Sequence, residues 1–546
     1  MSPSNTPMDN GNDAAVETVT LTIDGDEVTV PKGTTVLKAA ESVGTEVPHY
    51  CFHEGLSSPA MCRLCLVEIE GAPKLQPSCV TQAQDGQVVR TQGDEALRQR
   101  RGVLEFYLVN HPLDCPICDQ SGECMLQDYV HDEGRGHGRS REPKRVFGRD
   151  DFGGDVLFYG DRCVMCTRCV RFMNEVEQDP RLTVVERGNR SVIDTFFEEG
   201  LDGTKWSGNI VDICPVGALV SKDFLYKQRA WDLDHTPSVC PSCSQGCNIS
   251  LHTRDNLVQR LKPRKNLDVN GHWMCDHGRE RYEFLNRPDR VTAPLFGRGH
   301  ARTAMGWREA LTGLVERARA TGDAAVKAVV SPGASNEDMG ALRALVDALG
   351  GGDIVYRMER AEDEVVLKGY PTLARRRDLA PNGRGAEIMG ATLVGDDDGT
   401  GGLEDLADHE GVLIVLGDEL DDQSEDFGRA ASTFIYLGAH PSEAATHADA
   451  VLPVTTFAEQ EGTFTNLNGR VQRYRQGLQA PGAARPAWLI LEALAADLAG
   501  RETAPTTAEE AFAVLSSRVE AFAGLTYEAI GDRGAVVNET VQLAGD

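Results

Sequence analysis

The sequence predicts an α+β chain that becomes α/β toward its C-terminal half, and three observations predict it. All fifteen cysteines fall between Cys51 and Cys275. From Val19 the residues alternate apolar and polar with a period of two, then pass into a helical run that stops at Gly44. Beyond residue 290 the composition shifts to Ala, Gly, Val and Asp, and apolar strand-like runs alternate with helical ones, the pattern of a parallel sheet.

The totals narrow the function. A chain of 546 residues has room for several domains, and its net charge of -29 opposes binding to nucleic acid, whose phosphates it would repel. Such acidity reads as a solvated face suited to high salt rather than as a docking patch. No run of eighteen apolar residues occurs, so no membrane-spanning helix is expected. The start of the chain lacks the basic and apolar stretches of a secretory signal, and residues 1–17 are too polar and small to order themselves, so they read as a tail. An odd number of cysteines at metal-like spacing favours a reducing compartment over a disulfide framework.

Taken in order, Val19 to Val30 reads as a β-hairpin turning at Asp24-Gly25, and Thr35 to Gly44 as a helix. Cys51, Cys62, Cys65 and Cys79 follow. One close pair and two distant members suit a two-iron rhomb, with an all-cysteine zinc site the much weaker alternative. Residues 96–110 form an amphipathic helix that delivers His111 to a loop carrying Cys115, Cys118 and Cys124. Three thiols in so short a segment can occupy three corners of an iron-sulfur cube, and the histidine four residues upstream can reach the fourth iron. The basic, Gly-rich piece from Gly134 to Arg149 reads as a surface loop, with phosphate binding the weaker alternative.

Cys163, Cys166 and Cys169 sit two residues apart in one loop, a spacing that fits a cube and is awkward for tetrahedral zinc, and Cys214 before Pro215 completes the set from far along the chain. The last set is Cys240, Cys243, Cys247 and Cys275, with a strand-like segment from Ile249 between. With His111 the fifteen cysteines make sixteen ligands, four sets of four with none left over. His53, His131, His137, His252, His272 and His277 have no such context and are expected to be ordinary polar residues. Ala328 onward, 336–349, Asp353 onward, Val412 to Gly417 and Thr433 to Gly438 read as alternating strands and helices. No GxGxxG follows a strand and no GxxxxGK[ST] occurs, so no nucleotide motif is found.

The hairpin, helix and cysteine loop resemble the β-grasp fold of [2Fe-2S] ferredoxins, although the ten residues between Cys51 and Cys62 exceed the plant-type spacing. His111-Pro-Leu-Asp-Cys-Pro-Ile-Cys-Asp-Gln-Ser-Gly-Glu-Cys124 and Ser207-Gly-Asn-Ile-Val-Asp-Ile-Cys-Pro-Val-Gly-Ala resemble the large iron-sulfur subunit of respiratory complex I. Cys240 to Cys275 is similar to the cluster motif that opens the molybdopterin oxidoreductases, and 448–470 to a late motif of that family. The resemblance covers about residues 18–480, strongly in the first 290.

It implies a tail at 1–17, a [2Fe-2S] domain at 18–95, a histidine-ligated [4Fe-4S] domain at 96–149 and an all-cysteine [4Fe-4S] domain at 150–231. A molybdopterin-oxidoreductase-type [4Fe-4S] domain at 232–290 and a degenerate, shortened α/β domain at 291–546 complete it. It implies an electron-relay subunit of NADH:quinone oxidoreductase with one [2Fe-2S] and three [4Fe-4S] clusters, no molybdopterin and no flavin. The expected partners are a flavoprotein (FMN and NADH-binding) subunit, which divides the hydride pair, and quinone-side iron-sulfur subunits. The expected place is the cytoplasmic side of the inner membrane, peripherally, within the complex.

The alternatives are an electron-transfer or catalytic subunit of an NAD-linked formate dehydrogenase or hydrogenase, and a zinc-stabilised scaffold. Against the formate dehydrogenase stand the absence of a cysteine after Cys275 and the sequence Cys275-Asp-His277-Gly-Arg, where that family usually carries a lysine. The zinc scaffold requires four zinc sites and leaves His111 to coincidence.

Overall fold

The computed structural model describes residues 17–322 and 324–538, so the expected tail, apart from Glu17, lies outside the described residues. Those residues fall into two compact units, 17–202 with 213–223 and 203–212 with 224–538.

In the first unit, Thr18–Ile23 and Asp26–Pro31 pair antiparallel across Asp24-Gly25, as their alternation predicts. Leu21, Ile23, Val28 and Val30 are buried and their polar neighbours face outward. The helix Val36–Ser42 begins at Thr35, whose hydroxyl accepts from the Lys38 amide, and buries Val36, Leu37, Ala39 and Ala40. A five-stranded sheet forms around the hairpin: Val88–Arg90 joins Thr18–Ile23 in parallel, and Leu66–Ile69 pairs antiparallel with Val88–Arg90. The expected helix at 96–110 runs over Asp94–Leu108, with Asp94 and Glu95 in its first turn, where the dipole favours them. The basic piece 134–149 is exposed loop until Arg149 opens the strand Arg149–Gly153.

The second unit carries an eight-stranded sheet. Six strands run parallel in the order Ala450–Pro453, Thr433–Gly438, Val412–Leu416, Val326–Val330, Gly352–Tyr356 and Thr392–Leu393. The sequence predicts a parallel sheet, but one edge is antiparallel, where Leu295–Phe296 and Thr303–Ala304 add beside Ala450–Pro453. Those two strands are two residues long, too short to signal themselves by alternation. Val412 to Leu416 is an unbroken apolar run because both faces are covered: Val412, Ile414 and Leu416 enter one core and Leu413 and Val415 the other. The helices Asn336–Ala348 and Ala487–Ala499 pack on the first of these faces.

At the start of Asn336–Ala348, Ser335 and Asp338 form a reciprocal cap. Glu337 beside it is fully buried and accepts from the Thr463 amide (2.9 Å), the Thr463 hydroxyl (3.0 Å) and the Tyr527 hydroxyl (2.9 Å). Burial raises its carboxyl from 4.5 to about 7. A raised carboxyl contributes its stability fully below the unfolded value and loses it as pH rises through the folded one. Glu337→Gln should therefore remove part of the fall in denaturation midpoint between pH 4.5 and 7; parallel curves for the two proteins would contradict this assignment.

Candidate metal centres

None of the fifteen cysteines forms a disulfide. Cys51, Cys62, Cys65 and Cys79 are buried in the first unit, and the Cys51 and Cys62 sulfurs stand 3.5 Å apart. Contact with Cys62 and then Cys79 holds the Cys51 thiol far below the usual thiol range, and contact with Cys51 pushes Cys62 and Cys79 up. Cys163, Cys166, Cys169 and Cys214 line one small cavity closed by Phe158, Val164 and Ile193. In the second unit, mutual charge effects link Cys247 to Cys240, Cys243 and Cys275. Cys115, Cys118 and Cys124 act on one another likewise, with Cys115 exposed and flanked by exposed Leu113 and Ile117. His111 is half-buried at the head of that loop.

The local backbone explains how thiols collect without a core. Ala60 and Arg63 around Cys62, and Met165 and Thr167 around Cys166, all adopt left-handed conformations with φ of 52°, 56°, 51° and 58°. Non-glycine residues seldom take that region, and such turns aim successive amides into one concavity. The Met165 amide donates to the Cys163 sulfur at 3.3 Å, and the Gly278 amide to the Cys275 sulfur at 3.3 Å. Backbone amides likewise favour the thiolates of Cys124 and Cys214, yet burial dominates and raises these to about 11 and about 12. Cys240 is raised by burial to about 12 as well. Burial lowers His111 to about 4, so its imidazole is neutral with a free lone pair at neutral pH.

Thiols lining one small cavity and amides donating to sulfur make a donor set that fits iron-sulfur clusters. Among the described residues no group of three or more His, Cys, Asp or Glu side chains is arranged to hold a single metal ion. Two glycines leave room at the sulfurs. A Cβ on Gly217 would come within 2.2 Å of the Cys118 sulfur, and one on Gly278 within 2.9 Å of Cys240 and 3.5 Å of Cys275.

Three buried arginines tie the first unit's sites together. Arg162 donates to Asp114 Oδ2 at 3.0 and 2.7 Å and to the Gly217 carbonyl at 3.3 Å, and its guanidinium lies 4.0 Å from the centre of the Tyr159 ring. Arg168 donates to the Ile213 carbonyl at 3.1 Å and the Phe52 carbonyl at 2.5 Å. Arg171 donates to the carbonyls of Cys51 (2.5 Å), Cys166 (3.2 Å) and Ser57. Spacing alone missed these roles, although three arginines within Arg162-Cys-Val-Met-Cys-Thr-Arg-Cys-Val-Arg171 were the available signal.

In the second unit, Cys275 caps Asp276–Glu280. Asp276 accepts from the Ser207 hydroxyl at 3.0 Å and the Gly208 amide at 2.9 Å, which fixes the 203–212 segment to the fourth group. Of the histidines expected to be ordinary, His252 stacks on His235 at 3.9 Å and accepts from Arg260, and His131 is exposed beside Asp132.

Families described by their chemistry match along the chain in order. They are a 2Fe-2S iron-sulfur cluster binding domain (16–94), an NADH-ubiquinone oxidoreductase-G iron-sulfur binding region (100–139) and an NADH-quinone oxidoreductase subunit 3 ferredoxin-like domain (153–220). A molybdopterin oxidoreductase Fe4S4 domain (233–287) and a molybdopterin oxidoreductase domain (382–497) follow. The NADH-ubiquinone oxidoreductase 78 kDa subunit of Candida albicans is 30% identical over 593 aligned residues, covering 87% of this chain and 82% of that protein. The chain belongs to this family of complex I iron-sulfur subunits.

A second family member, the G subunit of NADH-quinone oxidoreductase from Rickettsia felis, is 38% identical over 61% of this chain and 49% of its own length. The chain thus spans about half the length of that relative. One chain of a solved NAD+-reducing [NiFe]-hydrogenase in the H2-reduced state is 31% identical over 38% of this chain and 90% of that one, with a TM-score of 0.36.

The contact at Gly217 gives this family member a direct test. Gly217→Ala should destabilise the as-isolated protein by about 1–3 kcal/mol in chemical denaturation, because the new methyl must displace the Cys118 side chain. Gly138→Ala, with open space around it, is the control and should leave stability unchanged.

Proposed function

We propose that this chain is the electron-relay subunit of an NADH:quinone oxidoreductase, with one [2Fe-2S] and three [4Fe-4S] clusters. Cys51, Cys62, Cys65 and Cys79 hold the two-iron cluster. His111 with Cys115, Cys118 and Cys124, Cys163 with Cys166, Cys169 and Cys214, and Cys240 with Cys243, Cys247 and Cys275 hold the cubes. The observation that carries the reading is the convergence of Cys163, Cys166, Cys169 and the distant Cys214 on one enclosed cavity. Membership of the family and the order of the matched domains support it.

When bound, such clusters accept and release one electron at a time. The chain's own residues keep that exchange dry and in register. Phe158, Val164 and Ile193 exclude water from the third site. Arg162 holds Asp114 and the Gly217 carbonyl, so the loops bearing Cys115, Cys163 and Cys214 keep fixed positions. Arg171 ties the Cys51 and Cys166 loops in the same way. His111 contributes no negative charge where a cysteine would, which makes its site the more easily reduced.

The division into a [2Fe-2S] β-grasp domain at 18–95, [4Fe-4S] domains at 96–149, 150–231 and 232–290, and an α/β domain at 291–546 belongs to this reading. Electrons enter from a flavoprotein (FMN and NADH-binding) subunit and leave toward quinone-side iron-sulfur subunits, one of which covers exposed Leu113 and Ile117 beside Cys115. No helix among the described residues is long and apolar enough to cross a membrane, which suits a peripheral place on the cytoplasmic face of the complex. No flavin and no molybdopterin are assigned to the chain.

A metal inventory of the natively purified complex checks the reading. About 14 irons attributable to this chain, with neither molybdenum nor tungsten, are expected. His111→Cys should lower one midpoint potential in an EPR-monitored redox titration while leaving the iron count unchanged. Stoichiometric zinc in place of iron, or an unmoved set of potentials, would overturn the ligand assignment.

A further inference from the structure

The turn that carries the fourth cysteine group is held by a segment from far along the chain. The Ser244 amide donates to the Asp378 carbonyl at 2.9 Å, and Arg376 Nε donates to Gln245 Oε1 at 2.8 Å. Ser244 and Gln245 stand between Cys243 and Cys247, and Gln245 is 1% exposed. Gln245 Nε2 donates in turn to the Val269 carbonyl at 3.0 Å, so the side chain that receives Arg376 is itself fixed.

Arg376 belongs to a pair of charges that has a direction. Val365–Val366 and Ala374–Arg375 pair antiparallel, and across them Arg375 meets Asp363 at 2.9 Å and Arg376 meets Glu364 at 3.1 Å. The side chains of Arg375 and Arg376 are 13% and 19% exposed, those of Asp363 and Glu364 74% and 40%. Each guanidinium thus lies on the protein side of its pair and each carboxylate on the water side. Water screens the exposed acids more than the sheltered cations, which leaves a net positive field toward the interior.

The Cys243 sulfur registers that field. Burial raises its thiol, and the Arg376 amide, the Gln245 amide and the charges of Arg376 and Arg375 oppose the rise in descending order. Arg279, a cation on the helix that Cys275 caps, is met by Asp212 at 2.6 Å and by Asp276 at 4.0 Å. An all-thiolate site gains one negative charge when it accepts an electron, and nearby charge and hydrogen bonds to the sulfurs set its potential. We propose that Arg376, supported by Arg375, raises the midpoint potential of the cluster held by Cys240, Cys243, Cys247 and Cys275. A segment of the α/β domain then acts on the electron affinity of a site whose four ligands lie outside that domain. This inference rests on the four-cluster reading above.

The test is an EPR-monitored redox titration of the purified complex, in which the signal lost from Cys275→Ala marks the fourth group. Arg376→Gln should shift that one-electron equilibrium about tenfold toward the oxidised form, a fall of about 59 mV. Arg376→Lys, which keeps the charge, should stay within about threefold of the wild type. Glu364→Gln removes the opposing charge from a half-exposed position and should move the midpoint upward, a sign that mere loosening of the segment does not give. An unmoved midpoint in Arg376→Gln, or a downward shift in Glu364→Gln, would overturn the proposal. A wild-type complex with about 10 irons attributable to this chain and no fourth signal would instead overturn the four-cluster reading, and this inference with it.

Discussion

Sulfur that must carry negative charge while buried is the constraint on which the first unit depends. Moving a thiolate out of water is unfavourable, and burial is the leading cause of the raised thiols at Cys118, Cys124, Cys163, Cys169 and Cys214. The chain answers with fixed dipoles and cations rather than with water. Left-handed turns at Ala60, Arg63, Met165 and Thr167 bend the cysteine loops tightly enough to turn their amides inward. Such conformations are unfavourable by about 1 kcal/mol or more each and persist where the surroundings dictate them.

The arginines meet the same constraint at longer range. Arg162 is 3% exposed and bonded both to Asp114, next to a cysteine of the second group, and to the carbonyl of Gly217 beyond Cys214. A buried cation of this kind is anchored by several acceptors at once, so removing one partner strands a charge. An exposed pair such as Arg429 with Asp426, at 70% and 72% side-chain exposure, stands at the other extreme and contributes little. Beside the apolar core around Leu21, Val36 and Val67, three guanidiniums each span loops distant in sequence. Loops short of apolar residues have few other ways to acquire fixed positions.

This division explains what the sequence disclosed. The hairpin around Asp24-Gly25, the helix ending before His111 and the strands of the second unit were legible, because each is written in local periodicity. What was not legible depends on partners far along the chain. No local pattern says that Arg168 reaches Phe52 or that Asp276 reaches Ser207 and Gly208, bonds spanning 116 and about 69 residues. The two-residue antiparallel strands at the sheet edge carry too little sequence to show alternation. The reversal of strand order in the eight-stranded sheet is likewise a matter of pairing, and pairing across such separations has no local signature.

The eight-stranded sheet of the second unit handles charge in the opposite sense. The strand Val326–Val330, the loop Ser331 to Ala334 and the helix Asn336–Ala348 make the strand-loop-helix unit whose free amides commonly receive an anion. In this chain the position is met internally: Asp338 accepts from the Ser335 amide at 3.2 Å, the Gln460 side chain at 2.9 Å and the Trp488 amide at 2.8 Å. A buried carboxyl therefore already occupies the positive end of the helix, and Asp418 and Asp422 occupy the nearest guanidinium. An incoming phosphate would meet acids where such a fold normally offers amides and cations.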